Sequence, residues 1–258
     1  MAYLTRSAKD GKDWTDNDLS AYNIEIRDED TSTFFGTNDL PQPGVDDVVL
    51  TTQDGKETPD GSRIRQLFTM FRYVSGPSEF AENAVANFAI KLVDILGYEH
   101  DSTALAPWIE LDLVICGERK LAAPKLCLYD YDADAYALIV QEGDRFCPSA
   151  SQASLIASAI AVFCYNNHSR ETAGKEPLES KVMPGILMCG TAPIFYKIPV
   201  TAALARAVSE GTYPTEKTVI SMHVPVLPRP ELRYSEGLKP LDNRRAILQC
   251  FEAFKRAL

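Results

Sequence analysis

From Arg63 onward the apolar positions fall into runs with readable periods. Ile64, Leu67, Phe68 and Phe71 recur at helical spacing before Ser75-Gly76-Pro77 breaks the chain. Phe80, Ala84, Phe88, Leu92 and Ile95 make a second helical stripe that ends at Gly97. Ser78 fits its N-cap, and Glu79 and Glu82 fall in its first turn, where the helix dipole favours negative charge. Between Trp108 and Cys116, Ile109, Leu111, Leu113 and Ile115 alternate with polar residues, the signature of a half-buried strand. Two further strands are expected over 125–129 and 136–142, a buried alanine-rich helix over 151–166, and a hairpin turning around Gly190-Thr191-Ala192-Pro193. A short helix (202–209), a strand (218–224) and a C-terminal helix (242–257) follow. The order helix, three strands, helix, strands predicts an α/β fold with a mixed central sheet flanked by helices.

Residues 1–62 read differently. They are rich in Asp, Gly, Thr and Pro, with one strand-like piece, 22–26, and one apolar patch, 47–50. They hold 14 Asp/Glu against 5 Lys/Arg, whereas 63–258 holds 22 against 21, so most of the net charge of −10 belongs to this segment. An irregular acidic N-terminal arm is expected, packing by those two pieces onto a single α/β domain spanning 63–258. The near-neutral main body argues against a broad basic nucleic-acid surface.

The N-terminus lacks a signal-peptide core, and the longest apolar stretch, about 153–165, is too short to span a bilayer. The six cysteines include no CxxC pair. A cytoplasmic or nuclear protein with no disulfide framework, no zinc site and no membrane partner is the expectation.

Several site types are missing. The chain contains no GxGxxG, GxxxxGK[ST] or GxSxG motif. A nucleophilic pair such as Cys164 with His223 is one candidate, more simply read as a buried thiol and a surface histidine. The run Asp130-Tyr131-Asp132-Ala133-Asp134 opens like a calcium loop. It then carries Ala135 where the turn needs Gly and Gln141 where the bidentate Glu belongs, so it reads as a hairpin turn. In that hairpin Lys125 lies opposite Gln141 and Glu142 to within one register step, which gathers polar residues at the open end of two apolar strands. Tyr129, Tyr131 and Tyr136 near the tip suggest a sheet face or, less simply, base stacking. Arg229, Arg233, Lys239, Arg244 and Arg245 suggest either solvated positions or a phosphate-facing rim.

The stretch from Pro124-Lys125 to Glu142-Gly143-Asp144, arriving after a helix with Glu79 and Glu82, resembles the PD-(D/E)xK nuclease superfamily. That likeness implies an αβββαβ core over 78–200. In the family an Asp after Pro and a later acid bind Mg²⁺, a Lys two residues past the acid activates water, and a first-helix Glu completes the shell. Here Pro124 matches, Lys125 stands at the Asp position, Glu142 matches the acid and Asp144 stands at the Lys position. Glu82, or else Glu79, matches the helix Glu. Acid and base have exchanged places. The resemblance therefore implies a nuclease-derived domain with an altered active site. Its catalytic residues are Glu142, Lys125 and Asp144, its metal ligands are Glu82, Glu142 and Asp144, and Mg²⁺ or Mn²⁺ is its cofactor if it is active. Nucleic acid is then the implied partner, although a Lys125–Asp144 pair closing an inert site is equally economical. Two other readings stay open: a protein-interaction module with a protein partner, and a small-molecule enzyme using Cys189, Tyr196 and Lys197. The segments 190–197 and 240–245 also resemble proteins of mushroom-forming fungi, a likeness that implies no function.

Overall fold

The structure is a computed structural model that describes residues 6–56, 58, 62–75, 83–144 and 148–258. Its helices are α1 (Asp16–Ala21), α2 (Thr31–Phe35), α3 (Asp47–Thr51), α4 (Arg63–Ser75), α5 (Ala84–Ile95), α6 (Pro148–Thr172), α7 (Ala202–Glu210), α8 (Arg233–Glu236) and α9 (Leu241–Phe254). The strands are β1 (Ile24–Asp28), β2 (Thr103–Pro107), β3 (Leu111–Ile115), β4 (Glu118–Ala122), β5 (Leu126–Asp130), β6 (Ala135–Gly143), β7 (Ser180–Cys189), β8 (Ala192–Thr201) and β9 (Thr218–His223).

Seven strands form one mixed sheet in the order β1-β9-β8-β7-β6-β5-β2. β2, β5 and β6 are antiparallel neighbours, and β7 joins β6 in parallel after the α6 crossover. The expected α/β class and mixed central sheet are what the chain forms. One of the three expected strands is corrected. The alternating segment after Trp108 pairs only with β4, in a separate two-stranded sheet, and the sheet strand is β2. Two local causes divert it. Trp108 adopts φ 58°, which turns the chain away after β2, and Cys116 and Gly117 have φ 52° and 76°, the left-handed pair that closes a tight hairpin. The alternation itself is genuine, because Leu111, Leu113 and Ile115 point inward.

The two sheet faces build two cores. On one, Cys127, Ile139, Leu187 and Tyr196 pack with α6, α7 and the β3–β4 hairpin. On the other, Leu128, Leu138, Val140, Ile186 and Phe195 pack with α4, α5 and α9. α6 is covered on all sides along its middle, from Ala153 to Phe163, which explains an apolar stretch without helical stripes. No helix among the described residues is long and apolar enough to cross a membrane. α5 ends in a Schellman arrangement, with Gly97 at φ 71°, Gly97 N–H donating to Asp94 and Tyr98 N–H to Val93.

The acidic N-terminal segment packs by both expected pieces. The strand-like one is β1, the sheet edge parallel to β9, and the apolar patch is α3, docked on α9. Trp14, Tyr22 and Phe34 of the same segment are fully buried as well.

Candidate functional site

Leu126 pairs with Val140, and the Lys125 N–H donates to the Val140 carbonyl at 3.1 Å. Lys125 therefore sits abreast of Gln141, as the hairpin arithmetic requires. β6 runs on through Glu142, which pairs with Met188 and follows Leu138 and Val140 on the α5 face. α5 hands the chain to β2, whose first residue pairs with Asp130 at the hairpin tip, so the start of α5 lies towards the end where β6 finishes. Glu79 and Glu82 fall outside the described residues.

Glu142 is half-buried. Burial pushes its carboxyl above the usual carboxylate range, and the nearby Lys125 ammonium pulls it part of the way back. That ammonium also lies 5.1 Å from the centre of the Trp108 ring, and the Trp108 N–H donates to the Lys125 carbonyl at 3.1 Å. Asp144 is exposed, and its N–H donates to Ser151 Oγ at 3.2 Å at the start of α6. Gly143 separates the two acids for a steric reason. A Cβ there would stand 2.8 Å from Cys189 Sγ and 2.9 Å from Leu187 Cγ. The Cys189 thiol is pushed up to about 12, first by burial and then by the Asp144 charge, so it is an inert thiol. Lys125, Glu142 and Asp144 thus share the open end of β5 and β6. A cation facing a half-buried acid can hold a proton or meet an anion there. Among the described residues no three His, Cys, Asp or Glu side chains converge as a metal cluster.

Other candidates disperse. Cys164 is exposed on α6, whereas His223 is buried on the opposite face of the sheet, stacked on Phe34 and edge-on to Phe35. The two form no pair, and the expected buried thiol and surface histidine are reversed. Cys189 and Tyr196 point into the α6 core, while the Lys197 ammonium goes the other way and donates to the Phe34 carbonyl. Tyr129, Tyr136 and Tyr165 pack ring on ring at the hairpin tip, the far end from Glu142. The tip is the expected turn, with Asp130 accepting from the N–H groups of Asp132 and Ala133. Of the basic rim, Arg229 is paired with Glu236 and Asp242, and Arg233 donates to the Pro225 carbonyl. Lys239 donates to the Ser235 carbonyl, and Arg244 is buried against backbone carbonyls. Trp108 is the residue that sequence reasoning missed. Its indole belongs to the site, and the only cue was a large aromatic directly after a strand-ending Pro107.

Compared with family profiles and with curated proteins, the chain matches none.

Proposed function

We propose that this protein is a nuclease-derived domain of the PD-(D/E)xK type that has kept nucleic-acid binding and lost metal-dependent cleavage. The observation that carries the reading is the succession α5-β2-β5-β6-α6-β7, with three antiparallel strands followed by a parallel one. Lys125, Glu142 and Asp144 stand at the strand ends where that family keeps its acids and its lysine. The β3–β4 hairpin is an insertion between the first two strands of this core.

Among the described residues the donor set does not fit Mg²⁺ or Mn²⁺. A hard dication is held by several anionic oxygens, and the position of the first Asp carries the Lys125 ammonium instead. Among the described residues the site offers two carboxylates, half-buried Glu142 and exposed Asp144, beside a cation that opposes a dication. Lys125 in turn is well placed to meet a phosphate oxygen as a point charge.

The test is restoration. The wild-type protein is expected to leave single- and double-stranded DNA and RNA intact in Mg²⁺ or Mn²⁺. The double variant Lys125→Asp, Asp144→Lys restores the family order and is expected to cut in Mn²⁺, with Glu142→Gln added to it abolishing the cut. Metal-dependent cleavage by the wild type, lost in Glu142→Gln, would overturn the claim that activity is gone. A folded double variant that neither cuts nor binds would overturn the nuclease descent.

A further inference from the structure

Trp108 occupies a conformation that a tryptophan rarely adopts. Its φ of 58° lies in the left-handed region, where the Cβ of a bulky residue crowds the following carbonyl and where Gly or Asn is the usual choice. A glycine there would turn the chain out of the sheet just as well. Strain of this kind persists where the surrounding structure holds it and clusters at functional positions. Here the hold is visible in the hydrogen bond from the Trp108 N–H to the Lys125 carbonyl, directly after the last β2–β5 pair. The result is an indole that is 45% exposed, standing over the Lys125 ammonium at the open end of β5 and β6. One face meets the cation and much of the rest of the ring meets water. The other tryptophan, Trp14, is 1% exposed and stacks on Tyr22 in the core.

We propose that Trp108 is a base-stacking platform that makes this site selective for single-stranded nucleic acid. The inference rests on the nuclease-derived reading above and adds the class of ligand. A flat aromatic surface beside a single cation accepts an unstacked base on the ring while the adjoining phosphate meets Lys125. A base held inside a duplex offers no free face to such a ring. The near-neutral main body, with 22 Asp/Glu against 21 Lys/Arg over 63–258, offers no broad phosphate-binding surface, so stacking has to supply most of the affinity. Binding driven by stacking needs few phosphate contacts, so the affinity falls only gently with salt.

The two tryptophans make the test direct. A fluorescein-labelled 12-nucleotide single strand and the corresponding duplex are titrated with the full-length protein and followed by anisotropy. Tryptophan emission is recorded in parallel with unlabelled strands. The expected result is preference for the single strand and quenching of the solvent-exposed, red-shifted emission component. Trp108→Ala is expected to weaken binding by roughly 10- to 100-fold, as for the loss of one stacked base, with Trp108→Phe in between. Trp108→Gly relieves the left-handed strain, so an equal loss of binding in that variant, with Trp14 emission and melting temperature kept, excludes unfolding as the cause. Binding that is unchanged in Trp108→Ala, or that favours the duplex, would overturn this inference and leave the nuclease-derived reading standing. No binding to either form would remove both.

Discussion

Arg244 offers the sharpest test of how the N-terminal segment is held. Arg244 is 3% exposed, and no carboxylate among the described residues partners it. The guanidinium donates to the carbonyls of Leu238 at 2.9 Å, Val49 at 2.9 Å, Thr52 at 2.6 Å and Lys239 at 3.3 Å. Two of these are carbonyls at the end of α3 that no further helical turn can satisfy. The rings of Phe68 and Phe71 lie 5.4 and 5.7 Å from the guanidinium carbon. Burial pushes the Arg244 pKa down to about 10, which still leaves the group charged at neutral pH. Arg244→Met keeps the stem and removes every donor, stranding the buried Leu238 and Val49 carbonyls at about 1–3 kcal/mol each. The gain from no longer desolvating a cation offsets part of this, so a net loss of about 2–4 kcal/mol is expected. Arg244→Lys, with one compact donor group, recovers about half. Urea unfolding followed by far-UV circular dichroism reads the loss as a lower midpoint at unchanged slope. Hydrogen exchange should show its largest increase over 48–53. If Arg244→Met is as stable as wild type, desolvation outweighs the clamp and the reasoning is wrong.

Two further outcomes follow from particular contacts. Gly143→Ala places a methyl against Cys189 Sγ and Leu187, inside normal contact distance, and is expected to cost about 1–3 kcal/mol. Adding Cys189→Ala should return part of that, and a double-mutant cycle with no coupling would refute the contact. His223 is buried, its Nδ1 bonded to the Glu29 carbonyl and its Nε2 without a partner among the described residues. Burial lowers its pKa, with the Glu29 bond partly opposing. The unfolded state therefore takes up the proton first, and stability present above about pH 6.5 is lost as pH falls below it. His223→Asn retains a donor for Glu29 and should flatten melting temperature against pH between about 6.5 and 5 relative to wild type. Parallel pH profiles for the two proteins would show that His223 is not the group responsible.

The sequence made α4, α5, α6, α7, α9 and most of the strands readable through stripes, apolar runs and chain breakers, whereas the short α1, α2, α3 and α8 lie in stretches that read as irregular. α5 has a stripe and a glycine stop, and β7–β8 and the C-terminal helix are continuous apolar patterns. What it hid were facts of partnership. Alternation over 109–115 specifies a strand with one buried face but not which sheet it joins, and the left-handed turn at Trp108 decides that. The five residues of β1 were too few to announce a seat in the main sheet, whose partner β9 is remote in sequence. At the candidate site the hairpin register follows from the spacing of the two strands, and with it the proximity of Lys125 and Glu142. That of Trp108 does not, because its place over Lys125 depends on a backbone angle that no spacing encodes. Arg244 looked like a surface cation for the opposite reason, since only the fold brings the end of α3 over it.

The pairing of β1 with β9 also sets an order of events during synthesis. The Glu29 carbonyl bonded by His223 lies 194 residues upstream of it. At about 5–20 residues per second, β1 waits roughly 10–40 s after leaving the ribosome for the strand it pairs with. Trp14, Tyr22 and Phe34 wait with it, apolar surface without a finished core to cover it. The aspartates and glutamates crowded into the same 62 residues then act as the segment's solubiliser, keeping a nascent edge strand apart from other chains until its neighbour is made.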